Sequence, residues 1–204
     1  MRGALFCRTC CLLLLVGLTA CRDQGRTVIL PPDTSLQPGD VVFRSGRGIA
    51  SYMVVAAERG VGYSHVGMVV DSCGVMMIAH AVPDEPDFEG DVDRVKLDTP
   101  EQFFCTERAK VGEVCRPQNV ARAARAAEVA LQAYRRGVLF DHDYDDSDTT
   151  RMYCTELVTY ALSRAGYDLS LLQRQQVNLP GVHALCVLPS GVHSLPFLKK
   201  VAAF

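Results

Sequence analysis

The feature that most constrains the fold is a pair of largely apolar segments, residues 63–70 and 75–82, joined by the short link 71–74. Both segments are rich in residues that favour strands, and the link contains Gly74, which suits a tight turn. The pattern therefore predicts a β-hairpin and places an antiparallel pair of strands at the centre of the fold.

The hairpin carries two histidines whose relation depends on its register. If Val70 pairs with Val75, paired residue numbers sum to 145, and His65 then lies opposite His80. Directly opposite residues share a face, with Cβ atoms about 5 Å apart. We therefore expect two adjacent imidazoles at the open end of the hairpin. The alternative is that both histidines are incidental, since one bulge would separate them.

Residues 151–166 predict a helix with a cysteine near its start. Gly166 provides the left-handed stop, and Thr150 or its neighbours provide the N-cap. Cys154 then lies where backbone N–H groups and the helix dipole stabilise a thiolate. The alternative is that Cys154 is a small buried hydrophobe. The apolar stripe of this helix comprises Leu157, Val158, Ala161, Leu162 and Ala165.

The remaining patterns predict an α+β fold with a mostly antiparallel sheet packed on helices. The further elements are a strand within 36–43, a short helix in 49–58, a strand at 94–97, a capping-box helix after Thr99, a strand at 110–116, and a helix capped by Asn119 that ends before Gly137. The predicted core face of this last helix comprises Val120, Ala123, Ala124, Ala127, Leu131 and Tyr134.

The N-terminus reads as a targeting segment. Basic residues precede an apolar run, 10–18, that is too short to span a bilayer. Residues 18–21 (Leu-Thr-Ala-Cys) resemble a bacterial lipobox, which implies a signal peptide over 1–20 and lipidation of Cys21. An ordinary cleaved signal is the alternative. We expect residues 21–35 to tether a domain spanning 36–204 to the periplasmic side of the cell envelope. Arg22, the residue after the lipidated cysteine, resembles the signals that send lipoproteins to the outer membrane.

Charge and cysteine content narrow the chemistry. The net charge of −2 leaves no electrostatic footprint for nucleic acid. Of nine cysteines, three lie in the signal segment, and Cys21 and Cys154 have the roles described above. The other four allow three disulfide pairings, or they stay reduced. These four are Cys73, Cys105, Cys115 and Cys186.

A cysteine at a helix start and a histidine on a strand are the components of a Cys–His hydrolase. Four segments, 36–43, 63–68, 78–81 and 153–158, also resemble the permuted papain-like amidases of the NlpC/P60 superfamily, the YiiX/YebB/YaeF-like cysteine hydrolases. In that branch the histidine precedes the cysteine, as it does here. The resemblance implies a circularly permuted papain-like fold and hydrolysis of an amide, and some members are lipoproteins.

By this resemblance, Cys154 is the nucleophile, His65 the general base and His80 the residue that orients it. His80 falls where YiiX-like members carry glutamate and other NlpC/P60 enzymes carry histidine. Phe140 occupies the position of a family tyrosine that helps bind the oxyanion, so another group must replace its hydroxyl. The first oxyanion donor would be the backbone N–H of Cys154, and the tentative substrate or oxyanion residues are Tyr63, Tyr144 and Tyr153.

The expected function is a thiol amidase or peptidase that forms an acyl-thioester on Cys154, with peptidoglycan peptides or a related amide as the implied substrate. This chemistry requires no cofactor. One alternative is hydrolysis or transfer of a lipid acyl ester, and another is a non-catalytic, envelope-binding lipoprotein. A zinc site formed by His65, His80 and Cys154 is less favoured because no close-spaced ligand pair occurs. His142 is interpreted as a loop residue.

Overall fold

A computed structural model describes most of the chain beyond its N-terminal segment. The described residues are 26–47, 54, 62–145, 147–179 and 182–204. The predicted signal peptide, Cys21 and the predicted helix at 49–58, apart from Val54, lie outside them. Within the described part, no helix has both the length and the apolar character needed to cross a membrane.

Ten strands and four helices make up the described fold. The strands are β1 (Val41–Ser45), β2 (His65–Ser72), β3 (Val75–Val82), β4 (Arg94–Asp98), β5 (Val111–Pro117), β6 (Leu139–Phe140), β7 (Arg151–Met152), β8 (Arg174–Leu179), β9 (Val182–Val187) and β10 (Leu198–Ala203). The helices are α1 (Pro100–Phe103), α2 (Val120–Arg135), α3 (Cys154–Arg164) and α4 (Pro189–His193).

Eight of these strands form one sheet in the order β10-β5-β1-β2-β3-β4-β6-β7, and β8 pairs with β9 separately. Every pairing is antiparallel except β6 with β7. Helices α2 and α3 pack on one face of the large sheet, and α1 covers the other with Phe103 and Phe104. The prediction of an α+β fold with a mostly antiparallel sheet is confirmed.

The predicted hairpin is present, but its predicted register is wrong. Ser72 pairs with Val75 and Met68 with Ala79, so paired numbers sum to 147. The two-residue loop is Cys73-Gly74, with φ of +57° and +84°, the signs that a type I′ turn requires. Gly74 is thus the second loop residue rather than a paired one, which shifts the register by two.

The shift of two residues keeps the histidines on one face, because side chains alternate with a period of two. His65 becomes the diagonal neighbour of His80, and Gly67 occupies the position opposite His80. A Cβ on Gly67 would lie 3.2 Å from the Cβ of His80 and 2.7 Å from Cγ2 of Ile78. Glycine at this position therefore leaves the space in which the two imidazoles meet.

The cysteine helix begins later than predicted. Arg151 and Met152 form β7, and Tyr153 is the N-cap, so Cys154 is the first residue of α3. Asp148 bonds the backbone N–H of Thr150 locally instead of capping the helix. The apolar stripe predicted for this helix is buried throughout, as expected.

The capping-box helix after Thr99 is confirmed, since Thr99 and Gln102 exchange both capping bonds. The core face of α2 is rotated from the prediction: Val120 and Ala124 are exposed. Its buried residues are Ala123, Ala126, Ala127, Ala130, Leu131 and Ala133. Small alanines allow α2 to pack closely on α3 and the sheet, and an alanine-rich pattern does not determine which stripe faces inward.

The four cysteines left open by the sequence are all free thiols, as is Cys154. Cys73 is exposed in the hairpin turn, whereas Cys105, Cys115 and Cys186 are buried. No disulfide therefore connects the described residues.

Candidate active site

A cavity of about 650 Å³ lies where the N-terminal end of β2 and the C-terminal end of β3 meet the start of α3. His65 and Cys154 both line it, together with Tyr144 and Tyr153. His80 lies behind His65 and is fully buried. The structure thus brings the predicted catalytic residues to one region of the molecule.

The two hairpin strands separate beside this cavity. The β2–β3 ladder ends at the pair Met68 and Ala79, beyond which residues 65–67 pair only with β1 and residues 80–82 with β4. The backbone N–H of Val66 instead faces the thiol of Cys154.

Backbone donors surround the sulfur of Cys154. The N–H groups of Val66, Thr155 and Cys154 itself act to lower its pKa, as expected at a helix start. Burial has the larger opposite effect and raises the pKa of Cys154 to about 11. The N–H groups at the helix start thus act in the predicted direction, but burial outweighs them, and the resting group is a neutral thiol.

His65 and His80 belong to a chain of polar contacts that ends on a carboxylate. Nε2 of His65 lies 2.9 Å from Nδ1 of His80. Nε2 of His80 lies 3.1 Å from Oδ2 of Asp98, off the direction of a straight hydrogen bond. Arg108 and Lys96 hold the same carboxylate at 2.7 and 3.3 Å. Asp98 is thus fixed as an anion beneath the histidines.

These contacts assign the imidazole tautomers. A proton on Nε2 of His80 faces Asp98, so Nδ1 of His80 accepts from Nε2–H of His65. Nδ1 of His65 then carries the free lone pair that a general base needs. Burial lowers the pKa of His65 well below its usual value, with Arg44 contributing, so the imidazole is neutral at rest. Burial likewise lowers the pKa of His80, against the opposing effect of Asp98.

The histidines and the cysteine approach the cavity from different sides of the sheet. The rings of His65 and His80 pack on Phe103 of α1 at 5.6 and 5.2 Å between centroids. Cys154 packs with the core cluster under α2 and α3. Across the described residues, no hydrogen bond joins its sulfur to His65. The two groups can therefore form a catalytic pair only if a side chain moves where β2 and β3 separate.

The three tyrosines considered from sequence occupy different positions. Tyr144 lines the cavity close to Cys154. Burial is the main cause that raises the pKa of Tyr144 to about 12, and a negative charge on Cys154 acts in the same direction. Its φ of +55° is unusual for a non-glycine residue, and strain of this kind often accompanies function. Tyr153 also lines the cavity, but its hydroxyl accepts the N–H of Val187. Tyr63 instead donates to Glu113, away from these lining residues.

Sequence reasoning missed Asp98 and the charged residues around it. Arg44 is buried, donates to the carbonyl of Phe103 at 2.9 Å, and pairs with Glu85. Glu85 also pairs with Arg108 at 3.3 Å. The sequence holds part of the signal for Asp98, because polar residues at 94, 96 and 98 alternate with apolar ones and so share one face of the strand. The pairing of His80 with Lys96 makes this the face of His80.

His142, interpreted from sequence as a loop residue, is exposed and lies 3.2 Å from Asp93. The segment 36–43, the first of those that resemble the family, contains Asp40, which has a structural role in this fold. Asp40 is buried and accepts two hydrogen bonds from Arg116, each 2.8 Å long, which ties the start of β1 to β5.

Fold and site together define a mixed α/β protein with a mostly antiparallel sheet and, at the ends of its central strands β2 and β3, a cavity lined by Cys154 and His65 with His80 and Asp98 behind. The chain is similar to the crystal structure of the metalloprotein YiiX from Escherichia coli O157:H7, a DUF1105 protein, with a TM-score of 0.64 and 21% identity. The match covers 82% of this chain and 97% of that one. This likeness confirms a YiiX-like fold, whereas the permuted papain-like assignment stays a prediction. No protein-family model matches the sequence, and no curated protein matches it.

Proposed function

We propose that this chain is a cysteine hydrolase that cleaves an amide bond through an acyl-thioester on Cys154. The observation that carries the proposal is the chain of contacts from Asp98 through His80 to His65, which ends at the cavity that the thiol also lines. A buried carboxylate that orients a histidine beside a nucleophile is the arrangement of a catalytic triad, extended here by one imidazole.

The first step is proton transfer from Cys154 to Nδ1 of His65, after a side-chain movement where β2 and β3 separate has brought the two groups together. Because the thiol pKa is raised and the imidazole is neutral, this transfer occurs as the sulfur attacks rather than beforehand. Asp98 stabilises the resulting imidazolium through His80. The bond from sulfur to the carbonyl carbon forms, the amine leaves with the proton from His65, and water then hydrolyses the thioester with His65 again acting as base.

The tetrahedral intermediate needs donors for its oxyanion. Backbone N–H groups that already face the sulfur, those of Cys154 and Thr155 at the start of α3, supply them. The hydroxyl of Tyr144 takes the role that Phe140 cannot perform. Tyr153 orients Tyr144 through ring packing, with 5.4 Å between the centroids.

The cavity lining favours a peptide over a lipid chain. Charged side chains of both signs line it, and an acyl chain would gain little from them. A peptide that carries carboxylate and ammonium groups matches both signs. The charged residues that line the cavity are Arg44, Arg47, Asp84, Glu85, Glu107 and Arg108. With the lipobox-like segment at 18–21, this supports a peptide amide of the cell envelope, such as a peptidoglycan stem peptide, as substrate.

YiiX is a metalloprotein. The donors around the cavity of this chain do not suit a shared metal. The facing nitrogens of His65 and His80 bond to each other, and the remaining nitrogen of His80 faces Asp98. That leaves Nδ1 of His65 and the sulfur of Cys154 as the donors of this set, fewer than the three protein ligands of a catalytic zinc site, so the proposed reaction proceeds through protein groups alone.

The direct test compares a fluorogenic peptide amide with a lipid acyl ester as substrates for the purified chain. We expect amide hydrolysis, its loss in Cys154→Ala, and no change in Cys73→Ser, whose thiol is exposed in the hairpin turn. A preference for the ester would replace the amidase proposal with a lipid acyl hydrolase or transferase. Hydrolysis of neither substrate, with binding retained, would favour a non-catalytic envelope-binding protein.

A further inference from the structure

A second cluster of reactive side chains lies outside the cavity. Glu113 and Cys115 are two residues apart on β5 and so share a face, and His193 ends α4. One ligand atom from each lies within 4.8 Å of the other two. Glu113 and Cys115 are buried, whereas His193 is half-buried. A thiol, an imidazole and a carboxylate are the three ligand types that zinc takes in proteins.

The carboxylate of Glu113 divides its two oxygens between two sets of partners. Oε1 lies 3.1 Å from Sγ of Cys115 and 2.7 Å from Nε2 of His193. Oε2 accepts the Tyr63 hydroxyl at 2.8 Å and lies 3.5 Å from Nζ of Lys200. One oxygen thus faces the possible ligands while donors fix the other, as in metal-ligating carboxylates held by an outer shell.

Ring packing fixes the orientation of His193. Its ring meets Phe43 edge-on at 5.3 Å and lies 5.6 Å from the ring of Tyr63. Nε2 therefore points at the carboxylate without support from a metal. Coordination through Nε2 requires the tautomer with the proton on Nδ1, which this orientation permits.

Charge balance also fits a divalent cation. In the metal-free chain the thiol of Cys115 donates to Oε1 of Glu113 at 3.1 Å and therefore keeps its proton. A bound cation reverses that preference, and the thiol releases its proton to solvent as the sulfur–metal bond forms. One thiolate and one carboxylate then neutralise a charge of +2. Lys200, which is mostly exposed, can turn towards solvent.

We propose that Glu113, Cys115 and His193 bind a zinc-type divalent cation that fastens α4 to β5. Tetrahedral zinc places its ligand atoms about 3.2–3.8 Å apart. The two contacts to Oε1, at 3.1 and 2.7 Å, need to widen by about 0.5 Å, and the separation of Sγ from Nε2, at most 4.8 Å, needs to narrow by about 1 Å or less. Solvent supplies the fourth ligand beside the half-buried His193. None of the three residues lines the cavity that contains Cys154, so this site stabilises the C-terminal segment and takes no part in the hydrolysis.

The test is the metal content of the full chain, purified through a tag without histidine and dialysed against metal-free buffer after one equivalent of zinc. We expect about one zinc per chain in the wild type, and loss of that zinc in Cys115→Ser and in His193→Gln. Cys105→Ser, a buried cysteine outside the cluster, and Cys154→Ser should retain it. Retention of zinc by Cys115→Ser and His193→Gln, or loss in Cys154→Ser, would overturn the assignment.

Two further measurements keep the proposal testable if Cys115→Ser does not fold. Cobalt substituted into the wild type should give a thiolate-to-metal charge-transfer band, and its absence would exclude Cys115 as a ligand. Tyr63→Phe removes only the hydroxyl that holds Oε2, and we expect it to weaken zinc binding by about 10- to 100-fold. An unchanged affinity would remove the outer-shell argument and, with it, the site.

Discussion

The raised pKa of Cys154 leads to a quantitative prediction for its reactivity. An unperturbed thiol has a pKa of 9.0, against about 11 here, so the thiolate fraction at pH 7 is about 100-fold smaller. The more basic thiolate is intrinsically more nucleophilic, which recovers about 10-fold if alkylation has the sensitivity known for thiol exchange. We therefore expect iodoacetamide to alkylate Cys154 about 10-fold more slowly than a free thiol.

The assay is peptide-resolved mass spectrometry of alkylation between pH 6 and 10, with N-acetylcysteine as the reference. The rate should rise about tenfold per pH unit across this range, because the thiolate fraction does so below the pKa. His65→Ala should leave the rate unchanged, since no hydrogen bond between the two groups is among the described contacts. A rate above that of the reference, constant below pH 7 and lost in His65→Ala, would show a resting thiolate–imidazolium pair and refute this reasoning.

Three further predictions follow from the site. Gly67→Ala should reduce activity and stability because its Cβ would press on Ile78 and His80, whereas Gly62→Ala, with open space around it, should reduce neither. If the two variants had equal effects on kcat and on urea unfolding, the packing argument would be contradicted. Tyr144→Phe should lower kcat by about 100-fold with little change in KM if the hydroxyl binds the oxyanion, and an unchanged kcat would exclude that role. A buried neutral histidine contributes stability that is present above its unfolded pKa of 6.5 and is lost as pH falls, by up to about 1.4 kcal/mol per pH unit. The free energy of unfolding in urea should therefore depend less on pH between 6.5 and 5 in His80→Gln than in the wild type. An equal slope would mean that His80 protonates freely in the folded chain.

Much of the fold follows from local patterns in the sequence. The hairpin, the capping box at Thr99, the Asn119 cap and the Gly166 stop each rest on a few adjacent residues whose conformational preferences agree. The class of sheet follows from them, because successive short strands joined by tight links pair antiparallel.

The register of the hairpin needed one more step of the same reasoning. The presence of Gly74 indicated a turn, but only the positive φ demanded at both loop positions of a type I′ turn places it second in the loop. The start of α3 was less predictable. Thr150 is a good N-cap by residue type, yet Met152 is fully buried and pairs with β6, and this long-range contact outweighs the local preference.

The candidate site was predictable in part. His65, His80 and Cys154 were identified from residue type and motif, but Asp98 depends on the pairing of β3 with β4, which no local pattern specifies. The net pKa of Cys154 could not be predicted, for a related reason. Donors at a helix start can be predicted from sequence, whereas the burial that opposes them depends on the whole core.

The central claim is covalent catalysis by Cys154, and the most direct measurement is the mass of the chain during turnover. Acid-quenched reactions with the peptide amide should contain protein that carries the acyl group on the peptide that includes Cys154, and hydroxylamine should remove it. Cys154→Ala should show neither this adduct nor turnover. Hydrolysis at the wild-type rate by Cys154→Ala would contradict the account.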